Sequence, residues 1–336
     1  MAARATATVL AGDVGGTKIH LGLYRVAGGK PEIVRDRIFP TRDFKSLEDT
    51  LADFLGGRAT IDAACFGVPG PVIGGIARPV NVPWTMEERA LARVLGVSGA
   101  RLINDLEATA YGMLYLKESE IVVLQAGEPA PGRAPIAVIA AGTGLGESAL
   151  LPIEDGRWRS VATEGGHVDF APRDRLQTEL LEFLAREFDH VSYERVLSGP
   201  GLVNIYRFLR ARGPEPEPRW LAERMAGGED AAAAISEAAL ARRDARCVEA
   251  LEMFVAIYGA EAANLALKYL ALGGVYVGGG IAPRILPMLT AAEGGFVRAF
   301  LAKGRLSEML AKIPVRVALN EAAALCGAAH CAMEML

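Results

Sequence analysis

Asp13-Val-Gly-Gly-Thr-Lys18 places a carboxylate, two glycines and a hydroxyl side by side. Successive N–H groups in such a turn form an anion-binding nest. Gly15 and Gly16 allow a positive φ and a close approach of backbone to ligand, and Thr17 adds a hydroxyl donor. Asp13 beside a phosphate makes sense only with a metal ion between them, and Mg2+ held through water is the usual choice. A second turn, Ala141-Gly-Thr-Gly-Leu-Gly146, offers Gly142, Thr143 and Gly144 to β- and γ-phosphates. A third, Gly278-Gly279-Gly280, suits an adenine and ribose lying flat on backbone. Each has an ordinary reading as well. Asp and Gly are common turn residues, and the third run equally suits close helix–strand packing. The first two turns together weaken the ordinary reading of both.

Other polar residues complete a possible site. Asp105, after Asn104 at a strand-to-helix junction, reads either as a helix cap or as a general base for a substrate hydroxyl, since phosphoryl transfer needs chiefly in-line positioning and charge neutralisation. Glu164-Gly-Gly-His167 sets two polar side chains across a glycine turn, and Glu194 is a third candidate. Carboxylates, an amide and an imidazole suit a polyol, because each donates to or accepts from vicinal hydroxyls. Taken singly, Glu194 also reads as a solvated helix-face charge and His167 as a turn histidine. Lys18 adjoins the first turn and is assigned no contact.

The elements that must position these residues follow from periodicity. Thr8–Gly12 leads into the first turn, and Ile19, Leu21 and Leu23 alternate after it. Ile136–Ala140 and Ala149–Leu151 flank the second. Strand, glycine turn, strand is a hairpin pattern, whereas a P-loop or dinucleotide fingerprint puts a helix after the glycines. Two phosphate-holding hairpins point to an ATP-using enzyme built from duplicated halves. Further strands are expected at 61–68, 101–103 and 274–277, with a tight hairpin at Gly74-Gly75. Helices are expected at 46–55 with Ser46 as N-cap, 86–95, 106–116, 176–188, 202–210, 220–225, 231–241 and 246–270. Another helix starts near Pro283, and a last one runs over 321–335 behind Asn320. Gly213–Pro218 reads as a proline-rich loop. The fold class is α/β, with two similar domains.

Bulk properties exclude several classes. The 336 residues favour two domains. A net charge of −4 shows no nucleic-acid footprint. Cys65, Cys247, Cys326 and Cys331 lack CxxC pairing and read as reduced thiols of a cytoplasmic protein. The four histidines form no zinc signature. The stretch before the first strand is too short for a signal peptide. No apolar run reaches membrane-spanning length without a charge, so no membrane partner is expected.

Read together, these residues resemble bacterial glucokinase, in the non-ROK branch of the hexokinase–actin superfamily. Gly12–Thr17, Ile103–Asp105, Ala141–Gly146, Glu164–Pro172, Glu194–Gly201 and Gly278–Pro283 match in order. The short glycine patterns are weak signals; the blocks at 164–172 and 194–201 are long and specific. The similarity runs from about residue 8 to the last helix. It implies two actin-like, ribonuclease H-like α/β domains around a central cleft. The smaller would be 1–115 plus 318–336, because the last helix returns to it, and the larger 116–317. It implies ATP-dependent phosphorylation of glucose at the 6-hydroxyl, with Mg2+, in a homodimer. By match, Asp105 would be the base and Asn104 a sugar ligand, while Glu164, His167 and Glu194 would hold the remaining hydroxyls. The ROK branch carries a cysteine-rich zinc motif after its glycine–histidine segment. Here Val168-Asp-Phe-Ala-Pro172 follows, so zinc is not expected. A kinase for another hexose, such as mannose or an amino sugar, is the runner-up. A sugar-sensing regulator on the same fold would need a DNA-binding module, and no basic helix-turn-helix is visible. An actin-like ATPase would have no use for the hydroxyl-binding set.

Overall fold

Apolar alternation on both sides of each glycine turn builds two sheets of the same plan. The computed structural model describes residues 7–28, 30–57, 60–79, 82–130, 132–214, 216–228, 230–291 and 295–336. The segment 1–6 ahead of the first strand, read above for a leader, lies outside the described residues, as does one residue of the proline-rich loop. The first sheet runs in the order Lys30–Pro40, Lys18–Ala27, Ala7–Val14, Ala63–Val68, Ala100–Asn104. Its first two pairings are antiparallel and its last two parallel. The second runs Trp158–Ala162, Leu145–Pro152, Ile136–Ala141, Gly274–Gly278, Val315–Ala318, with Ile121–Gln125 added at the far edge. It repeats the same order of antiparallel and parallel pairs before that extra strand.

Local chemistry sets the element ends. Ser46 accepts the Asp49 N–H and opens the Leu47–Leu55 helix, which Gly56 ends in the left-handed region. Gly74 and Gly75, at φ 61° and 76°, turn the Val72–Ile73 and Ile76–Ala77 strands into a tight hairpin. Alternation in the first strand sends Leu10 to one face of the first sheet and Val9 and Ala11 to the other. That second face joins Ile136, Val138 and Leu150 of the second sheet in one core, and the Asp105–Met113 and Ala323–Met333 helices complete it.

Those two helices cross at backbone contact. A Cβ on Gly112 would lie 2.0 Å from the Ala323 carbonyl oxygen, and one on Gly327 would lie 1.8 Å from that of Ala108. The alanines around them let the axes approach this closely. On the other face of the first sheet Leu10 joins Phe39, Leu51 and Phe66 in a core of the first half, and a third core belongs to the second half. There Ala245–Tyr269 is apolar and long enough to cross a membrane, yet 78% of its most apolar window is buried inside the protein, the environment of a core helix.

Several expectations shift. The helix expected over 202–210 begins at Gly199, because Ser198 accepts the Gly201 N–H and Pro200 suits the first turn. The helix expected to 188 ends at Leu184 and continues as turns. The helix placed near Pro283 starts at Ile281. The last helix starts at Ala323, after a turn in which Asn320 accepts the Ala322 N–H. The helix read at 86 begins at Glu88, behind a two-residue strand. Strands at Lys30–Pro40, Ile121–Gln125, Trp158–Ala162 and Val315–Ala318 were not anticipated.

Gly112→Ala and Gly327→Ala should each lower stability by about 1–3 kcal/mol, the usual cost of overpacking a filled contact. The check is the urea midpoint at unchanged slope; an unshifted midpoint would show that the crossing yields freely.

Candidate active site

Between the two sheets lies a cleft of about 570 Å³. Asp13, Asn104 and Asp105 reach it from the first half, and Gly142–Gly146, Glu164, His167, Glu194 and Gly278–Gly280 from the second. Residues separated by more than 100 positions in sequence thus share one solvent-filled space.

The strand-to-helix junction resolves the double reading of Asp105. Asn104 is the cap: its Oδ1 accepts the Leu106 N–H at 2.9 Å, and Glu107 Oε2 accepts the Asn104 N–H at 3.0 Å. This reciprocal pair is a capping box. Asn104 Nδ2 also donates to the Gly70 carbonyl at 3.2 Å, which leaves its second N–H for the cleft. Asp105 sits one residue further on and shares the Leu106 N–H through one carboxyl oxygen only. Its Oδ1 accepts the Leu106 N–H at 2.8 Å. Burial pushes the Asp105 carboxyl up to about 6; the Leu106 N–H opposes this, and the charges of Asp13 and Glu164 reinforce it. A carboxyl so placed is poised to take a proton near neutrality.

Asp13, at the end of the first strand, is also raised by burial, with Lys18 and His20 pulling it back. A cation between this carboxylate and phosphate oxygens would relieve that cost. No cluster of three or more metal-ligating side chains occurs among the described residues. That donor set fits Mg2+, which keeps several waters and takes one or two carboxylates with substrate phosphates.

The first hairpin differs in detail from expectation. Gly15 and Gly16 are not in the positive-φ region. A Cβ on Gly15 would come 3.0 Å from the Lys18 carbonyl oxygen, a tight contact inside the turn closed by the Gly15 N–H to that oxygen. Gly15, Gly16 and Thr17 form the tip and do not line the cleft, whereas Asp13 and Lys18 on either side of it do. Thr41 straps this tip, its Oγ1 donating to the Gly15 carbonyl at 2.7 Å.

The second hairpin is built for close approach. Leu106 occupies the space a Cβ on Gly146 would need, 2.2 Å away. Glu194 Oε2 lies 2.6 Å from where a Gly144 Cβ would be, and accepts the Leu145 N–H at 3.0 Å. Glu194 therefore sits on a short Tyr193–Arg195 turn fastened to the second hairpin, and is not a solvated helix-face charge. Glu164 and His167 flank the Gly165–His167 turn and are exposed to the cleft. Gly279 alone of the third run has positive φ, 82°, and a Cβ there would lie 2.3 Å from the Ala141 carbonyl oxygen.

One functional residue escapes sequence reasoning. Tyr258, fully buried, accepts the Ala141 N–H at 3.1 Å and donates to the Gly278 carbonyl at 3.1 Å. It clamps the second hairpin to the third glycine run. In sequence it is one more apolar-face residue of a long helix, with no local signal. Lys18, Asn320 and Glu321 also line the cleft.

A family model described as Glucokinase matches residues 10–335. A Synechocystis protein named glucokinase is 40% identical, with 97% of this chain and 98% of that protein covered. The crystal structure of a glucokinase from an Antarctic psychrotroph superposes with a TM-score of 0.82 at 30% identity, covering 97% of this chain and 99% of that one. A ROK-family glucokinase from Streptomyces griseus, solved with glucose and AMPPNP, shares the fold at TM-score 0.64 and 23% identity, over 98% of this chain and all of that one.

Tyr258→Phe leaves the buried Ala141 N–H without its partner, at a cost of about 1–3 kcal/mol. The expected result is a lower melting temperature and weaker binding of an ATP analogue by calorimetry; unchanged nucleotide binding would remove Tyr258 from the nucleotide clamp.

Proposed function

This chain belongs to the glucokinase family, and from that premise we propose how it carries a phosphoryl group from ATP to the 6-hydroxyl of glucose. The reading is carried by one observation: the Asp105 carboxyl faces a cleft shared by Glu164, His167, Glu194 and both inner glycine segments. Glucose lies against Asn104, Glu164, His167 and Glu194, with its 6-hydroxyl on Asp105. The triphosphate lies along the Gly142–Gly144 turn and the first hairpin, and adenosine along Gly278–Gly280. Asp105 orients the hydroxyl and accepts its proton as the phosphorus–oxygen bond forms, a contribution of roughly 10²–10⁴-fold. Lys18 and the hairpin N–H groups offset phosphate charge. Mg2+ would be held by Asp13, through water, and would supply charge neutralisation to the phosphates.

The division into 1–115 plus 318–336 and 116–317 is part of this proposal. Packing of Ala323–Met333 against the Ala7–Val14 and Ala63–Val68 strands supports it. Closure of the two parts over bound sugar would exclude water and favour the sugar as acceptor. A homodimer in the cytoplasm, with neither nucleic acid nor membrane as partner, belongs to the same reading.

A coupled assay for glucose 6-phosphate with ATP tests the reaction, and chelation of divalent metal should abolish it until Mg2+ is restored. Inactivity on glucose beside activity on mannose or an amino sugar would reassign the substrate. Asp105→Asn should lower kcat by about 10²–10⁴-fold with little change in glucose KM. Because the base works ionised and its carboxyl is raised to about 6, wild-type kcat/KM should fall as pH drops through that value and level off above it. A profile with no limb near pH 6, or full turnover in the variant, would refute the base assignment.

A further inference from the structure

Behind the cleft lies a buried polar network that phosphoryl transfer does not use. Glu147 follows the second hairpin on the Leu145–Pro152 strand and is 1% exposed. The turn bearing Glu164 and His167 rests on it. A Cβ on Gly165 would lie 2.2 Å from Glu147 Oε2. Thr163 Oγ1 donates to the Glu147 backbone carbonyl at 2.8 Å and accepts the Gly165 N–H at 3.1 Å. Beside Glu147 stands Glu261 of the Ala245–Tyr269 helix, fully buried. Asn264 Nδ2 donates to Glu261 Oε2 at 2.7 Å and to the Tyr193 hydroxyl at 3.1 Å. Lys268 Nζ lies 3.4 Å from Glu261 Oε1, and Lys303 Nζ donates to Asn264 Oδ1. Tyr193 opens the short turn that carries Glu194.

Two carboxyls side by side in a dry core repel unless a proton lies between them. Among the described residues Glu147 Oε1 has no hydrogen-bond partner. A proton held between the carboxyls supplies the missing bond. We propose that Glu147 and Glu261 are positioning residues for sugar binding: their shared proton ties the strand beneath Glu164 and His167 to the helix that holds the Glu194 turn through Asn264 and Tyr193. The proposal rests on the glucokinase reading for its ligand. All three second-half sugar contacts then hang on one buried network, whose geometry is sharp because every bond in it is directional.

The charges around the pair favour this state. Burial, then the neighbouring Glu261, pushes the Glu147 carboxyl up to about 8, with Lys268 opposing. Tyr258, Tyr269 and Tyr193 face the same network, and Lys303, with Arg173 near it, closes the far side. A carboxyl raised above its ordinary 4.5 stabilises the fold fully below that value and loses this contribution progressively as pH rises from there to about 8. Above it, two charges share the site and the turns loosen.

The test uses the full chain, with Glu147→Gln and Glu147→Ala. An amide donates to Glu261 at every pH. Between pH 7 and 9.5 the wild-type KM for glucose should rise about tenfold more than that of Glu147→Gln, the equivalent of one unit of proton linkage, with kcat following the same profile in both. Glu147→Ala should show a raised KM at every pH, which Glu147→Gln rescues. In the absence of any sugar, the melting temperature of the wild type should fall relative to that of Glu147→Gln as pH rises from 4.5 to about 8, and run parallel to it above that. Parallel KM profiles, and melting temperatures that also run parallel between pH 4.5 and about 8, in wild type and Glu147→Gln would overturn the proposal. Failure of the wild type to phosphorylate glucose at pH 7 would instead strike the functional reading, and the melting comparison would still judge the carboxyl pair.

Discussion

The crossing of the Asp105–Met113 and Ala323–Met333 helices is the constraint on which the site depends. Gly112 meets the Ala323 backbone and Gly327 meets the Ala108 backbone, with no room for a Cβ at either glycine. Backbone contact of this kind gives the helix carrying Asp105 a single depth between the two sheets. From that depth Leu106 fills the space above Gly146, and Glu107 Oε1 accepts the Ser160 hydroxyl at 2.6 Å. The residue read as the base and the hairpin read as the phosphate holder are thus placed by the same helix.

The electrostatics of the cleft follow from that placement. Asp13, Asp105 and Glu164 all face it, and burial raises the first two above the usual carboxylate range. An empty site of this sign is costly, and a cation together with donor groups relieves it. The Gly142–Gly146 and Gly278–Gly280 segments line the cleft with backbone, which adds no charge of its own. Tyr258 joins these two segments from below, and Glu194 is bonded to one of them. The two sides of the cleft are therefore coupled, and a shift of the second hairpin moves Glu194 with it.

Much of this frame was legible in the chain. The strand–glycine–strand pattern located both hairpins, and repetition of the pattern anticipated two sheets of one plan. Ser46 and Gly74-Gly75 declared their roles through side-chain and φ chemistry that operates within a few residues. Strands without such marks did not. Lys30–Pro40 is exposed along nearly its whole length, so it carries no alternating burial to read. Ile121–Gln125 is half-buried at the opposite edge and pairs with a strand almost 200 residues later. Of the two properties read for the first-hairpin glycines, the left-handed φ is absent, and Gly15 instead sits close to the Lys18 carbonyl.

What the sequence determined by itself is the inventory: which residues are able to hold phosphate, accept a proton or bind hydroxyls, and which family pattern orders them. Those properties belong to side-chain chemistry and short spacing, and they are present before the chain folds. Tertiary structure alone decided that Asn104 and Asp105 both reach the cleft while Asn104 and Glu107 form the capping box. It alone joined Glu194 to Leu145, Tyr258 to Ala141 and Glu147 to Glu261. Each of those contacts spans tens to over one hundred residues and depends on the depth at which helices meet sheets. Backbone packing fixes that depth, and no local pattern records it.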